Sequence, residues 1–328
     1  MNQHMQAVRL HEIGGPENLR IEQTPRPEPG AGEVLVRLRA AAFNRRDVFI
    51  TQGLYPGIKL PVTLGSDGAG MLESTGAEVV IDPMLGWGDD PDVWDAKGSS
   101  VLGMPHDGTF AEYVAVPAGN VHPKPPSLTM EEAAAIPLAG LTAYRATFTR
   151  AALRAGETIL IPGVGGGVQT FVLLFAKKIG ARAIVTSGDD AKLERAKEMG
   201  ADVCINYKTT PDWHKEARAA GPIDVVVDSS GGDTLAKAID AVRPGGRIAI
   251  YGGTTAAANV KLFPLFWKHV TIFGTSMGSP QDFRAMLALF DGSIKPALDK
   301  VFPFEEATAA AQRMASSQQF GKIVLRIS

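Results

Sequence analysis

The chain has 328 residues, 45% hydrophobic and 21% charged, with a formal net charge of −2, which suggests two domains with separate cores and gives no basic field to hold a nucleic-acid partner. No uncharged apolar run approaches the roughly 20 residues of a bilayer span, and MNQHMQAVRL lacks the apolar core of a signal peptide, so no membrane partner and a cytoplasmic location are expected. The single cysteine, Cys204, leaves no intrachain disulfide and no cysteine-rich zinc module.

Residues 1–126 are rich in Gly and Pro and carry short β-type runs at 34–39, 79–81 and 110–116. Pro123, Pro125 and Pro126 then read as a stiff linker. Thr129 followed by Glu132 forms a capping box that opens a helix. From about residue 156 the rhythm changes to strand, glycine, helix, strand. ETILIPG is a buried strand, VQTFVLLFAKKIG an apolar helix and ARAIVTS the next strand. DDAKLERAKEMG is an amphipathic helix. DVCIN, IDVVVDSS, GRIAIYGG and HVTIFGTS are further apolar strands between helical segments. This alternation predicts βαβ units and a parallel sheet with helices on both faces. One more helix, FEEATAAAQRMAS, and a strand, GKIVLRI, end the chain.

IPGVGGGVQTF follows a strand and opens a helix. Its glycines let the backbone turn tightly against a pyrophosphate at the helix N-terminus. The next strand ends at Ser187, where an NAD site would carry an acid for the ribose 2′-OH. Serine leaves room for a 2′-phosphate, and Lys192, one turn into the helix, is placed to reach it. Asp189 and Asp190 argue for NAD, but acids also suit a helix start for structural reasons. The favoured cofactor is NADPH.

The stretches GEVLVRLRAAAFNRRDVFITQGLYPGIKLPVTLGSDGAG, GLTAYRA, GVGGGV, LERAKEMGADVCINY, GGRIAIYGG and GKIVL together resemble the medium-chain dehydrogenase/reductase superfamily, in the style of its zinc-free, quinone-oxidoreductase-like branch. The resemblance spans essentially the whole chain. It implies a GroES-like β-rich catalytic domain over 1–126, completed by 277–328, packed on a Rossmann domain with a doubly wound parallel sheet over 127–276. The active site would lie in the cleft between them. Where zinc-dependent members have Cys, Gly-His-Glu and a second Cys, this chain has Asn44, Ser66 with Asp67, and Leu138. A catalytic zinc needs about three N, S or carboxylate ligands, so LGSDGAG reads as a vacated metal position and no metal is expected. The region of the structural zinc lobe has no cysteine. Its Asp89, Asp90, Asp92 and Asp95 lack EF-hand spacing and read as a solvated loop.

The resemblance further implies a cofactor set of Thr142, Gly163, Gly166, Gly167, Val168, Ser187, Lys192, Tyr207, Ser230, Gly252, Gly253, Gly274 and Thr275, with Phe320 and Lys322 from the returning strand. Gln169 stands where relatives carry the last glycine of the loop. It implies either a displaced helix start or a side chain reaching toward the pyrophosphate. The catalytic candidates are Asn44, Tyr55 and Asp67. Asn44 either donates to the substrate or caps the RRDVFITQG helix, and Tyr55 either donates or packs its loop. A second cleft tyrosine of the relatives falls on Phe49. His106 and His122 read as structural. Without a Lewis acid, alcohol oxidation is hard, and hydride transfer to a quinone or α,β-unsaturated carbonyl is easier. The expected activity is therefore an NADPH-dependent reduction of such an acceptor by a homodimer. An NADPH-binding redox sensor and a zinc alcohol dehydrogenase are the alternatives.

Overall fold

The computed structural model describes residues 3–254 and 257–327. The chain divides into two compact units, residues 1–139 with 279–328, and residues 140–278. The first unit thus runs past the expected boundary at 126. The cause is the helix Met130–Ala134, which the Thr129–Glu132 capping box does open: Glu132 N donates to Thr129 Oγ1 at 3.2 Å and Thr129 N to Glu132 Oε2 at 2.9 Å. Ala133 and Ala134 are fully buried in it. The proline segment therefore leads into a helix that belongs to the first unit.

The first unit is built on a sheet of seven strands. Six of them run in the spatial order Val121–Pro123, Glu78–Ile81, Asp67–Leu72, Glu33–Ala42, Lys322–Arg326, Leu298–Pro303. Tyr113–Pro117 pairs with the first half of Glu33–Ala42. An N-terminal hairpin, His4–Leu10 with Leu19–Pro25, forms a second sheet with Val62–Thr63. The long central strand carries the core: Val36, Leu38 and Ala40 to Ala42 are fully buried, facing Phe43, Phe110, Leu64 and Ile81. The returning strand Lys322–Arg326 pairs antiparallel with the end of Glu33–Ala42, Val324 opposite Ala42. The last residues of the chain thus complete the sheet begun by the first forty.

LGSDGAG supplies the neighbouring strand, and its glycines have steric reasons. A Cβ on Gly70 would run into the carbonyl oxygen of Arg37, and one on Gly68 would lie 2.8 Å from Leu38 Cδ2. Gly65 holds φ at +96°, in the left-handed region that glycine alone enters freely. These glycines let strand Asp67–Leu72 approach Glu33–Ala42 closely. That approach places Asp67 opposite Ala42, two residues from Asn44.

The second unit is a six-stranded, wholly parallel sheet. In space the strands run Val203–Asn206, Arg182–Ser187, Thr158–Ile161, Val225–Asp228, Arg247–Ile250, Thr271–Gly274. Numbered within the sheet by chain position, this is order 3-2-1-4-5-6, the doubly wound nucleotide-binding arrangement. Its central strands are almost unbroken apolar runs because both of their faces are covered; Ile159 to Ile161 and Val225 to Val227 are fully buried. The helices expected from sequence are present as Gly167–Lys178, Asp190–Glu198 and Gly232–Ala241. Among the described residues no helix is long and apolar enough to cross a membrane.

Candidate active site and dinucleotide loop

Asn44 is the N-cap residue of the helix Arg45–Thr51, and Asp47 folds back so that its Oδ2 accepts from Asn44 N at 2.7 Å. The Asn44 side chain turns to a different task. Its Oδ1 accepts from Lys322 Nζ at 2.6 Å, and its Nδ2 donates to Asp67 Oδ2 at 2.9 Å. Lys322 Nζ also donates to Asp67 Oδ2 at 2.8 Å, in an ion pair whose side chains are 2% and 0% exposed. The other carboxylate oxygen, Asp67 Oδ1, accepts from Leu138 N at 2.8 Å. Asn44, Asp67 and Leu138, matched from three distant stretches of sequence, thus meet at one point.

Ser66 belongs to the same cluster. Its Oγ donates to Leu102 O at 2.8 Å and accepts from Arg46 Nη1 at 2.5 Å. Arg46 Nη1 donates also to Leu102 O at 2.8 Å, and Arg46 Nε to the hydroxyl of half-buried Tyr55 at 3.4 Å. The guanidinium sits over the Tyr55 ring, 4.9 Å from its centroid. Burial pushes the Asp47 carboxyl up to about 6, and Arg46 acts against that rise.

This donor set does not fit a catalytic zinc. Both oxygens of Asp67 are engaged, and an ammonium already lies against one of them. Ser66 is occupied by a guanidinium, and Leu138 offers only an N–H. Among the described residues no group of three His, Cys, Asp or Glu side chains is placed to hold a metal.

The structure gives Lys322 a role different from the one expected of it. It was grouped with the cofactor contacts, but its ammonium is buried against Asn44 and Asp67. Phe320 is buried as well, with its N–H donating to Asp299. Two signals in the sequence pointed to this: a lysine inside an otherwise apolar strand needs a buried partner, and Arg46 follows an N-cap on a helix whose neighbours are apolar. Sequence reasoning missed Arg46 altogether. His106 is exposed, and His122 packs its ring on Phe283 at 5.0 Å.

The second unit carries the glycine loop. Gly163 and Gly165 have φ of +71° and +126°. Gly163 N donates to Thr186 Oγ1 and Val164 N to Thr186 O, tying the loop to the adjacent strand. The helix that begins at Gly167 and Val168 has Gly166 as its N-cap, with no side chain capping it. A Cβ on Gly163 or Gly166 would meet nothing within 4 Å. An open cradle before an uncapped twelve-residue helix fits a pyrophosphate.

Gln169 does not reach toward that cradle. It is buried, its Nε2 donating to Pro162 O and Val227 O and its Oε1 accepting from Tyr251. Where a glycine would permit close packing, the amide ties the helix start to two central strands. Ser187, Lys192 and Tyr207 gather at the end of the second strand. A Cβ on Gly165 would lie 2.8 Å from Lys192 Cδ, and one on Gly188 2.8 Å from the Tyr207 ring, so both side chains lie along this rim. The two competing acids have structural duties: Asp189 Oδ1 accepts from Ala191 N as a helix cap, and Asp190 pairs with Asn206 Nδ2. Ser230 N donates to Asp228 beyond the fourth strand. Gly252 lies after the fifth strand, where a Cβ would press on Ser229 O. Gly253 follows the fifth strand, Gly274 ends the sixth with Thr275 after it, and Thr142 is buried in the helix Pro137–Tyr144.

Residues 30–126 match the alcohol dehydrogenase GroES-like domain model, and residues 167–292 the zinc-binding dehydrogenase model. A zinc-type alcohol dehydrogenase-like protein of Schizosaccharomyces pombe is 36% identical, over 96% of this chain and 97% of its own. The chain belongs to the medium-chain dehydrogenase/reductase superfamily. A crystal structure of an NAD-dependent alcohol dehydrogenase superposes with a TM-score of 0.92 at 37% identity, covering 99% of this chain and all of that one. The rat synaptic vesicle membrane protein VAT-1 homolog is 29% identical over 96% of this chain and 82% of its own. The fold expected from sequence, a GroES-like domain with a Rossmann domain, is the fold of the superfamily.

The buried charges make a direct test of the cluster. Replacing Lys322 by Met strands the Asp67 carboxylate, and losing one partner of a buried pair typically costs about 3–5 kcal/mol. Adding Asp67→Leu should recover most of that loss. Urea unfolding of the single and double variants measures both effects.

Proposed function

We propose that this superfamily member is a zinc-independent, NADPH-dependent reductase of a conjugated carbonyl compound, a quinone or an enone. The single observation that carries the reading is the Lys322–Asp67–Asn44 cluster at the position where zinc-dependent relatives hold their metal. With no metal to lower the pKa of a hydroxyl, a saturated alcohol is a poor substrate. A conjugated carbonyl is already polarised.

A bound reduced nicotinamide supplies the hydride. The pair of electrons enters at the β-carbon of an enone, and the displaced π electrons move to the carbonyl oxygen. Tyr55 and Asn44 stand as the donors to that oxygen, and a proton from Tyr55 or water completes the reduction at the α-carbon. Asn44 has one amide N–H beyond the one given to Asp67, and the Lys322 bond to its Oδ1 fixes which way the amide faces. Asp67 acts through this orientation rather than on the substrate. Loss of a donor aimed at a developing oxyanion costs about 3 kcal/mol in the barrier. Tyr55→Phe should therefore lower turnover on an enone or quinone about 100-fold and leave NADPH affinity unchanged. Full turnover in both Tyr55→Phe and Asn44→Ala would remove these residues from the mechanism, and NADPH binding with no acceptor reduced would favour the redox-sensor alternative.

NADPH is preferred over NADH in this reading because Ser187, Lys192 and Tyr207 line the rim where a 2′-phosphate would sit, while Asp189 and Asp190 are committed to the helix start and to Asn206. The solved neighbour named above is NAD-dependent and represents the opposite choice. Ser187→Asp should erase or reverse the preference, since a carboxylate repels the phosphate and binds the 2′-OH. Fluorescence titration with both cofactors decides it, and tighter NADH binding by the wild-type protein would refute the preference.

The proposed partner is a second copy of the chain. Thr271–Gly274 is the edge strand of its sheet, with no strand on its outer side among the described residues. Beside it the helix Leu262–Trp267 leaves Phe263 and Trp267 62% and 69% exposed. A closed two-fold dimer would pair the edge and cover the apolar helix. Light scattering at micromolar concentration should give twice the chain mass, and Trp267→Glu should halve it.

A further inference from the structure

Two cations lie at the vacated metal position, and their situations differ. Lys322 is ion-paired to Asp67, so its charge is locally neutralised. Arg46 is buried too, though less fully, and its hydrogen-bond partners among the described residues, the Ser66 and Tyr55 hydroxyls and the Leu102 carbonyl, are all neutral. The carboxylate it acts on electrostatically is that of its neighbour Asp47, whose Oδ1 is itself buried without a hydrogen-bond partner among the described residues. Arg46 Nη2 is buried with no hydrogen-bond partner among the described residues. A buried charged donor left unmatched is costly, and such groups persist where a ligand completes them.

The geometry of the guanidinium says what would complete it. Nη1 is used by Ser66 and Leu102. Nε donates to the Tyr55 oxygen, so the phenolic proton is directed away from Arg46. The Nη2 donors lie on the same edge of the fork as Nε. A single oxygen beside Tyr55 could therefore receive the tyrosine O–H and an Nη2–H together. Such a pair fits one oxygen that carries or gains negative charge.

We propose that Arg46 and Tyr55 form an oxyanion-binding site, in which the guanidinium supplies the fixed positive charge that the metal supplies in zinc-dependent relatives. The proposal rests on the reading that the acceptor is a conjugated carbonyl, whose oxygen becomes anionic as hydride arrives. Arg46 also sets selectivity. An acceptor oxygen that carries or gains negative charge is favoured there over a neutral hydroxyl, because charge-assisted hydrogen bonds are the stronger ones.

The probe is 4-nitrophenol, which binds as a planar phenolate or as the neutral phenol and reports the difference by its yellow colour. Titrated at pH 6 into the protein loaded with oxidised cofactor, it should bind to wild type as the phenolate. Arg46→Met should weaken phenolate binding by about 30-fold or more, and Arg46→Lys, which keeps the charge but not the fork, should fall between. In turnover, Arg46→Met should lower kcat about 100-fold on an enone or quinone with an unchanged KM for NADPH, and added methylguanidine should restore part of it. Equal phenolate affinity in wild type and Arg46→Met, or binding to wild type only as the neutral phenol or not at all, would overturn the site. Phenolate binding that depends on Arg46 supports it even where no acceptor is reduced, and in that case only the carbonyl-reductase reading falls. If Arg46→Met does not fold, the comparison of wild type with Arg46→Lys and Arg46→Gln carries the same test.

Discussion

The ion pair between Lys322 and Asp67 is the constraint on which the first unit depends. It joins the last strand of the chain to the strand of LGSDGAG across the central strand Glu33–Ala42, which pairs with both. Buried pairs of this kind return little net stability, because desolvating two charges offsets most of their attraction. Their effect here is positional. An ammonium at Lys322 can be satisfied only where Asp67 and Asn44 both lie. A one-residue slip of the last strand would turn the lysine to the opposite face and leave three buried polar groups unmatched. The pair therefore fixes the register of the C-terminal strand and, through Asn44, the orientation of an amide at the start of the Arg45–Thr51 helix.

Close packing makes this possible. The carboxylate of Asp67 reaches Asn44 only because its strand lies tight against the central one, and that spacing rests on Gly68 and Gly70. The same short motif thus supplies both the steric permission and the charge. The left-handed Gly65 then turns the chain away, with Gly108 and Gly103 pressed against its carbonyl. Glycine is used at these points for close approach, and the loop Gly163–Gly167 uses it for a different end, leaving open space at Gly163 and Gly166 while Gly165 admits the Lys192 side chain along its rim.

Much of this was legible from the residues alone. The six parallel strands announced themselves as apolar runs at βαβ spacing, the central ones most clearly because a strand buried on both faces has no polar alternation to obscure it. The glycine loop was legible because its context, a strand before and an apolar helix after, is local. The convergence of Asn44, Ser66, Asp67 and Leu138 was carried by resemblance; in the structure Asn44 Nδ2 and Leu138 N both donate to the Asp67 carboxylate. What could not be read was where long side chains end. Lys322 belongs to a strand one of whose neighbours comes from the start of the chain, and Gln169 reaches the end of a strand nearly sixty residues away. Both destinations are set by tertiary packing, which local spacing does not encode. The GroES-like domain model ends at 126, as the prolines suggest, and the compact unit runs on to 139 because the helix Met130–Ala134 buries its alanines in it.

The chemistry follows from the kind of cation at the site. A zinc ion acts by coordination: it binds an alcohol oxygen directly and makes loss of the hydroxyl proton feasible at neutral pH. A guanidinium or an ammonium has no vacant orbital and brings protons of its own, so it can only donate hydrogen bonds. Donors stabilise an oxygen that is becoming negative and do nothing to pull a proton from an alcohol. On the proposed reading, exchanging the metal ligands for Asn44, Ser66 and Asp67, with Arg46 and Lys322 filling the space, keeps positive charge at the position while changing what that charge can do. It favours the direction in which hydride enters a polarised acceptor. The fold, the central strand and the dinucleotide loop need not change for this, because the difference lies in a few side chains that all reach one end of the Asp67–Leu72 strand.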